Sequence, residues 1–165
     1  ELNALNPDCE IVTRNERLTD DNSMILTYGA EYVIDGVDSF ASRYCINNAA
    51  HSIAMTMISG AVGRWGAQVS VFASGKTKGK PIANRLPCYR CFVAEAPEVE
   101  ETCEAVGVVG PLTGMVGARL ALETIKEIAD VGDSLAGRLW LFDGLSGESR
   151  TVKLAPDPMC PVCGS

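Results

Sequence analysis

An α/β domain whose sheet opens with parallel strands and ends with antiparallel ones is predicted by three observations. Ahead of Gly60, apolar strand-like runs alternate with helix-patterned segments, the order that parallel strands joined by crossover helices require. From Gly60 on, glycines punctuate the chain and Gln68–Phe72 alternates polar with apolar residues, as a strand with one solvated face does. Two Cys-x-x-Cys pairs, Cys88/Cys91 and Cys160/Cys163, lie roughly seventy residues apart and would tie the end of the chain to its middle.

Each element has its own signal. Leu2, Leu5 and the breaker Pro7 read as the last turn of a helix, and Cys9–Thr13 alternates weakly as a short strand. Thr19-Asp20-Asp21-Asn22 is an N-cap cluster leading into a helix over Ser23–Tyr28, with Gly29 as its stop. Tyr32-Val33-Ile34 is an apolar run of buried-strand type, and Asp35 to Ser39 leads into a helix carrying Phe40, Tyr44, Cys45 and Ile46. Ile53–Ile58 reads as a strand or a helix-to-strand boundary, and Ser74–Arg85, with three Lys, one Arg, two Gly and a Pro, as a solvated loop. The prolines beside Cys88 and Cys160 suggest turns there, not a helix start.

Glu95–Glu104 reads as an acidic crossing loop. The segment Gly107–Val131 is the longest periodic one, with Leu112, Val116, Leu120, Ile125 and Ile128 at helical spacing. Gly114, Gly117, Ala118 and Ala121 give that helix a face of small residues for close approach to another element. Arg138–Phe142 and Arg150–Leu154, joined by Gly144–Glu148, read as a hairpin.

Composition narrows the class. With 165 residues, 47% hydrophobic and 21% charged, the chain suits one domain over 1–165 with a real core. A net charge of −7 argues against nucleic acid as a partner, because such affinity comes from clustered Lys and Arg. Seven cysteines make an odd count, which fits a reducing cytoplasm better than a disulfide framework. No apolar run reaches the length of a membrane span, so no membrane partner is expected. The chain opens without Met at an apparent helix end, which reads as a cut rather than a natural start.

Two Cys-x-x-Cys pairs supply four sulfurs, and each pair can set its sulfurs about 3.5 to 4 Å apart, as tetrahedral zinc requires. Zinc ribbons space their pairs by about 15 to 20 residues, so Cys88, Cys91, Cys160 and Cys163 suggest a long-range structural clamp instead. A dithiol or disulfide pair, and four unrelated buried cysteines, stay open as alternatives. Asp35 and Asp38 lie where a strand gives way to a helix, and a carboxylate there could hold magnesium on a nucleotide phosphate; Asp38 reads alternatively as a helix N-cap. His51, the one histidine, reads as an exposed helix residue. Cys103 sits among Glu100, Glu101 and Glu104, which oppose a reactive thiolate, so it reads as a passive cysteine unless the fold carries those charges away. No G-x-G-x-x-G or Walker A motif occurs.

Together these stretches resemble the MoeB/ThiF/HesA family, relatives of ubiquitin-activating enzymes. The resemblance is carried by Val33-Ile34-Asp35-Gly36-Val37-Asp38-Ser39-Phe40 with Arg43, Tyr44 and Asn47, then Ser59–Arg64 and Pro87-Cys88-Tyr89-Arg90-Cys91. It continues through Cys103 with Gly107–Leu112, Ala121-Leu122-Glu123 with Ile125-Lys126, Phe142–Gly147, and Cys160-Pro161-Val162-Cys163-Gly164. It implies a Rossmann-like adenylation domain, here its C-terminal portion, since the family's glycine-rich nucleotide loop and phosphate-holding Arg and Lys lie upstream of where this chain starts.

The implied activity is ATP-dependent adenylylation of the C-terminal glycine of a ubiquitin-like sulfur carrier, MoaD- or ThiS-like, for cofactor biosynthesis, with this chain inactive alone. It also implies ATP and magnesium as cofactors, with Asp38 and Ser39 on the nucleotide side; Ser39 stands where Asn is more usual. Further implications are Cys103 as the crossover-loop cysteine of covalent chemistry, structural zinc on the four clamp cysteines, a homodimer and a cytoplasmic setting. The competing expectation is a zinc-clamped, non-catalytic module that docks such a carrier or a partner subunit.

Overall fold

The computed structural model describes residues 1–97 and 107–164. A one-turn helix α1 (Leu2–Leu5) and a short helix α2 (Asp20–Leu26) precede strand β1 (Tyr32–Asp35). Helix α3 (Phe40–Ser52) crosses to β2 (Thr56–Val62), which turns directly into β3 (Gly66–Phe72). Two short 3₁₀ turns and the one-turn helix α4 (Tyr89–Phe92) follow. The long helix α5 (Gly110–Ala129) then leads to the hairpin β4 (Arg138–Asp143) and β5 (Ser149–Lys153).

The five strands form one sheet in chain order, β1 parallel to β2 and every later neighbour antiparallel. This is the predicted change of style, and it falls at the tight turn Gly63–Trp65, with Gly63 N–H donating to the Gly66 carbonyl at 2.8 Å. Helix α5 packs on one face of the sheet, burying Val116 and Leu120 against Ile58, Val69 and Val71. On the other face α3 and α4 bury Ile46, Ala50 and Tyr89 against Met57 and Phe72. Each large apolar side chain fully removed from water stabilises by about 1.5–3 kcal/mol, so both faces contribute to one core.

Gly60 explains how α5 comes so close. A Cβ there would lie 2.8 Å from Val116 Cγ1 and 3.0 Å from a Leu120 methyl, so this glycine, inside β2, admits the helix.

Several expectations are corrected. Residues 9–13 form no strand; the segment is exposed and has no pairing partner among the described residues. β1 is an edge strand, so Ile34 is half exposed rather than buried. The basic loop 74–85 is not simply solvated: Ser74 and Thr77 are buried, and the Thr77 hydroxyl accepts from the Leu86 amide at 2.9 Å. Cys88 does precede a helix, though of one turn, closed by the Cys91 amide donating to the Cys88 carbonyl at 3.0 Å. His51 is half-buried, its Nδ1 2.9 Å from Ser74 Oγ.

Candidate functional site

The carboxyl ends of β1 and β2 are bolted together by a buried ion pair. Asp35, the last residue of β1, is fully buried; its Oδ1 accepts from the Val37 amide at 3.0 Å and its Oδ2 from the Ser59 hydroxyl at 2.6 Å. Arg43, one turn into α3, brings Nε to 3.4 Å from Asp35 Oδ2. Its Nη2 donates to the Val37 carbonyl at 2.6 Å and the Gly60 carbonyl at 3.2 Å. One guanidinium thus holds the loop after β1 and the backbone of β2. Burial pushes the Asp35 carboxyl up, while the Arg43 charge and the Ser59 hydroxyl pull it down.

That bolt sets the loop Gly36–Asp38. The helix N-cap is Ser39, whose Oγ accepts from the Ser42 amide at 3.3 Å and donates to Ser42 Oγ at 2.9 Å. Asp38 is therefore not the cap: it stands one residue outside the helix, exposed, with no hydrogen bond or ion pair to any described residue. It lines a cavity of about 650 Å³ whose wall includes Arg43, Gly60, Gln68, Tyr89 and Thr113. The cavity opens outside the carboxyl ends of the parallel strands, where open α/β sheets bind ligands. Tyr89, on its wall, is itself buried, with a hydroxyl that has no partner among the described residues.

The second element is the clamp. Sγ atoms of Cys88, Cys91, Cys160 and Cys163 all lie within 4.8 Å of one another, Cys88 to Cys160 at 3.5 Å and Cys91 to Cys163 at 3.3 Å. The set fits a tetrahedral metal of the zinc type. The physical case is electrostatic. Hydrogen bonding to Cys91, with burial, pushes the Cys88 thiol up, and the same bond draws Cys91 down to about 5. Burial pushes Cys163 up to about 12. Packed this tightly, four sulfurs can all be thiolates only with a cation between them.

Backbone groups complete the knuckles. The Asp157 amide donates to Cys91 Sγ at 3.3 Å and Arg85 Nη1 to the Cys163 carbonyl at 3.0 Å. Gly164 has no room for a side chain, since a Cβ would lie 2.5 Å from the Pro158 carbonyl oxygen. The Tyr89 amide donates to buried Asn47 Oδ1 at 2.7 Å, which couples the clamp to α3 and hence to the Arg43 bolt.

The structure therefore brings the four clamp cysteines together and sets Asp38 on the cavity wall, while Ser39, next to it, serves as the cap of α3. Cys103 lies outside the described residues. The sequence offers Asp35 as a carboxylate for magnesium beside Asp38, whereas the structure buries it against Arg43 and Ser59; neither that network nor the Tyr89 hydroxyl is assigned from the sequence. The spacing from Asp35 to Arg43 across a strand end and the first turn of a helix was the available signal.

The fold and these two sites define an α/β domain with a mixed sheet and a four-cysteine clamp, and the ThiF family profile matches residues 1–162. The chain belongs to the ThiF family. It is 37% identical over 156 residues to an adenylyltransferase and sulfurtransferase MOCS3 of Caenorhabditis briggsae, covering 93% of this chain and 37% of that protein. It is 34% identical over 165 residues to the sulfur carrier protein adenylyltransferase of Thermus thermophilus, covering 99% and 59%. Among solved structures, Escherichia coli MccB with MccA-N7isoASN superposes with a TM-score of 0.77 at 15% identity, over 99% of this chain and 49% of that one. PaaA superposes with a TM-score of 0.70 at 13% identity, over 94% and 46%. The chain thus spans between about a third and three-fifths of the length of these relatives.

Proposed function

We propose that this chain is the C-terminal portion, over residues 1–165, of an enzyme that adenylylates the C-terminal glycine of a ubiquitin-like sulfur carrier for sulfur transfer in cofactor biosynthesis. The observation that carries the reading is Asp38: an unpaired carboxylate at the strand ends, displaced from capping by Ser39 and held at a cavity mouth by the Arg43 bolt. A carboxylate freed from structural duty suits magnesium on a nucleotide phosphate, since hard cations take oxygen ligands. The names of the relatives, an adenylyltransferase and sulfurtransferase in one case and a sulfur carrier protein adenylyltransferase in the other, support the same reading.

In this reading the carrier carboxylate attacks the α-phosphorus of ATP, the bond to the β-phosphate oxygen breaks, and pyrophosphate leaves. The protein's part is to position both partners and to hold charge against the phosphate. Asp38 supplies the carboxylate for magnesium, and Ser39 caps α3 so that the helix N-terminus faces the same opening. Cys103 would act afterwards: its thiolate attacks the acyl carbon, AMP leaves, and a thioester holds the activated carrier. The clamp would hold structural zinc and supply no chemistry at the phosphate. A cytoplasmic setting and the pairing of two copies belong to the same reading.

The test is carrier-dependent ATP–pyrophosphate exchange by the protein expressed from its full reading frame. Asp38→Ala should remove most of the exchange in a protein that still folds. Cys103→Ala should leave exchange near normal and reduce only the later step, read as carrier adduct or thiocarboxylate. Carrier binding with no exchange in the unmodified protein would instead favour the docking module.

A further inference from the structure

Among the described residues, the polar side chains on the wall of the large cavity are Asp38, Arg43, Gln68, Tyr89 and Thr113. Most are already engaged. Arg43 holds Asp35 and two backbone carbonyls, Thr113 Oγ1 donates to the Gly110 carbonyl at 2.6 Å, and the Tyr89 hydroxyl is shut off from solvent. Asp38 faces magnesium in the proposed function. Gln68 is left over: it is half-buried, and its carboxamide makes no hydrogen bond to any described residue.

Its place on β3 explains why. Ala67, Val69 and Val71 turn into the core under α5, so Gln68 turns to the opposite face of the sheet. Its ladder neighbours, Ala61 and Leu141, have no side-chain group to offer it. Ser70, next along the same face, donates its hydroxyl to the Arg138 carbonyl at 2.7 Å. A ligand that covers Gln68 must therefore satisfy the carboxamide itself, because a polar group covered without a partner forfeits its hydrogen bonds to water.

The occupant follows from what the carboxamide asks for. It both donates and accepts, whereas ionised phosphate and carboxylate oxygens only accept. An extended peptide residue presents its N–H and C=O on one side, the pair of groups that neighbouring strands exchange. Gly66, two residues before Gln68 and on the same face, leaves the strand bare there: a Cβ added to it would come no closer than 4.0 Å to the Phe142 carbonyl oxygen. That bare strip suits a chain laid down along its backbone.

We infer that Gln68 holds the penultimate residue of the carrier tail, its oxygen accepting from that residue's N–H and its nitrogen donating to that residue's carbonyl. The last residue ends in the carboxylate that must stay free to attack, so the penultimate one is the first to carry both groups. This rests on the proposed function and names the side chain that positions its peptide substrate.

The test uses the protein expressed from its full reading frame and a fluorescein-labelled synthetic peptide ending in two glycines, with binding read by anisotropy. Gln68→Met keeps the side-chain size and removes both hydrogen-bonding groups. It should weaken the peptide about tenfold while ATP binds as before and the melting temperature holds. A peptide in which the N–H of the penultimate glycine is replaced by an ester oxygen should bind the unmodified protein several-fold more weakly than the amide, and Gln68→Met should bind the two alike. In carrier-dependent ATP–pyrophosphate exchange the same variant should raise the KM for carrier about tenfold and leave kcat within about twofold, the signature of lost substrate binding. Equal binding of ester and amide by the unmodified protein overturns the inference without relying on a variant that has to fold. Weakened ATP with unchanged peptide binding gives Gln68 to the nucleotide, whose base also donates and accepts, and overturns it too. Ester discrimination that depends on Gln68 in a protein without exchange upholds the inference and refutes the adenylation reading, and exchange indifferent to Gln68→Met does the reverse.

Discussion

Arg43 holds two strand ends and one loop in register through two Nη2 hydrogen bonds and an ion pair to Asp35, which is fully desolvated. Removing one partner of such a pair leaves an uncompensated buried charge, at about 3–5 kcal/mol. Arg43→Met should therefore lower the urea midpoint strongly, and adding Asp35→Asn should recover part of the loss. Failure of the second change to recover anything would show that the backbone bonds to Val37 and Gly60 dominate. His51 sets a pH dependence of the same local kind. Burial first, then the charges of Lys78 and Arg85, hold its pKa below 6.5. The unfolded chain takes up a proton there before the native one does, so stability present above pH 6.5 is lost as pH falls through the lowered native value. In melting curves below pH 6.5, His51→Gln should show a shallower fall than the unmodified chain.

Among the elements, α5 and the clamp each depend on a glycine that a larger residue would displace. Gly60→Ala should push α5 off β2 at Val116 and Leu120, an overpacking cost of about 1–3 kcal/mol in thermal or urea unfolding. Gly164→Ala has less freedom to relax, because its new Cβ meets the carbonyl oxygens of Pro158 and Cys160 rather than flexible side chains. That variant should release zinc to a chelator faster than the parent chain while the sheet stays intact by circular dichroism. The helical period of α5 was legible in the sequence, but the direction of its faces was not. Ile125 and Ile128 share the period of Leu112, Val116 and Leu120, yet the structure turns the isoleucines outward and buries Glu123. A buried carboxylate between two cations cannot be distinguished from a solvated one by spacing alone.

For the whole molecule, the clamp is a long-range fastener. A cross-link closing a loop of about seventy residues restricts the unfolded chain by roughly 4 kcal/mol, which for a domain of this size is about 10 °C in Tm. Zinc should be present at one equivalent per chain, and Cys160→Ser should release it and lower Tm by that order. Native protein prepared without chelator that holds no metal, with all four thiols freely alkylated, would refute the clamp. The described helices include none long and apolar enough to cross a membrane.

What the sequence determined by itself is whatever depends on local period, short spacing or residue chemistry. The alternation of β1, α3 and β2, the change to antiparallel pairing at β3, the hairpin β4–β5 and the two cysteine pairs all follow from neighbours within a few residues of one another. Only the tertiary structure decided which groups are in surplus. Asp38 and Ser39 are both competent caps by composition, and the path of the chain out of β1, pinned by Arg43, gives the cap to Ser39 and leaves Asp38 facing the cavity. The ion pairs join residues three to eight apart, but their burial and the outward turn of the α5 isoleucines arise from contacts between segments tens of residues apart. The free energy of those contacts depends on what each side chain meets, which a linear pattern does not record.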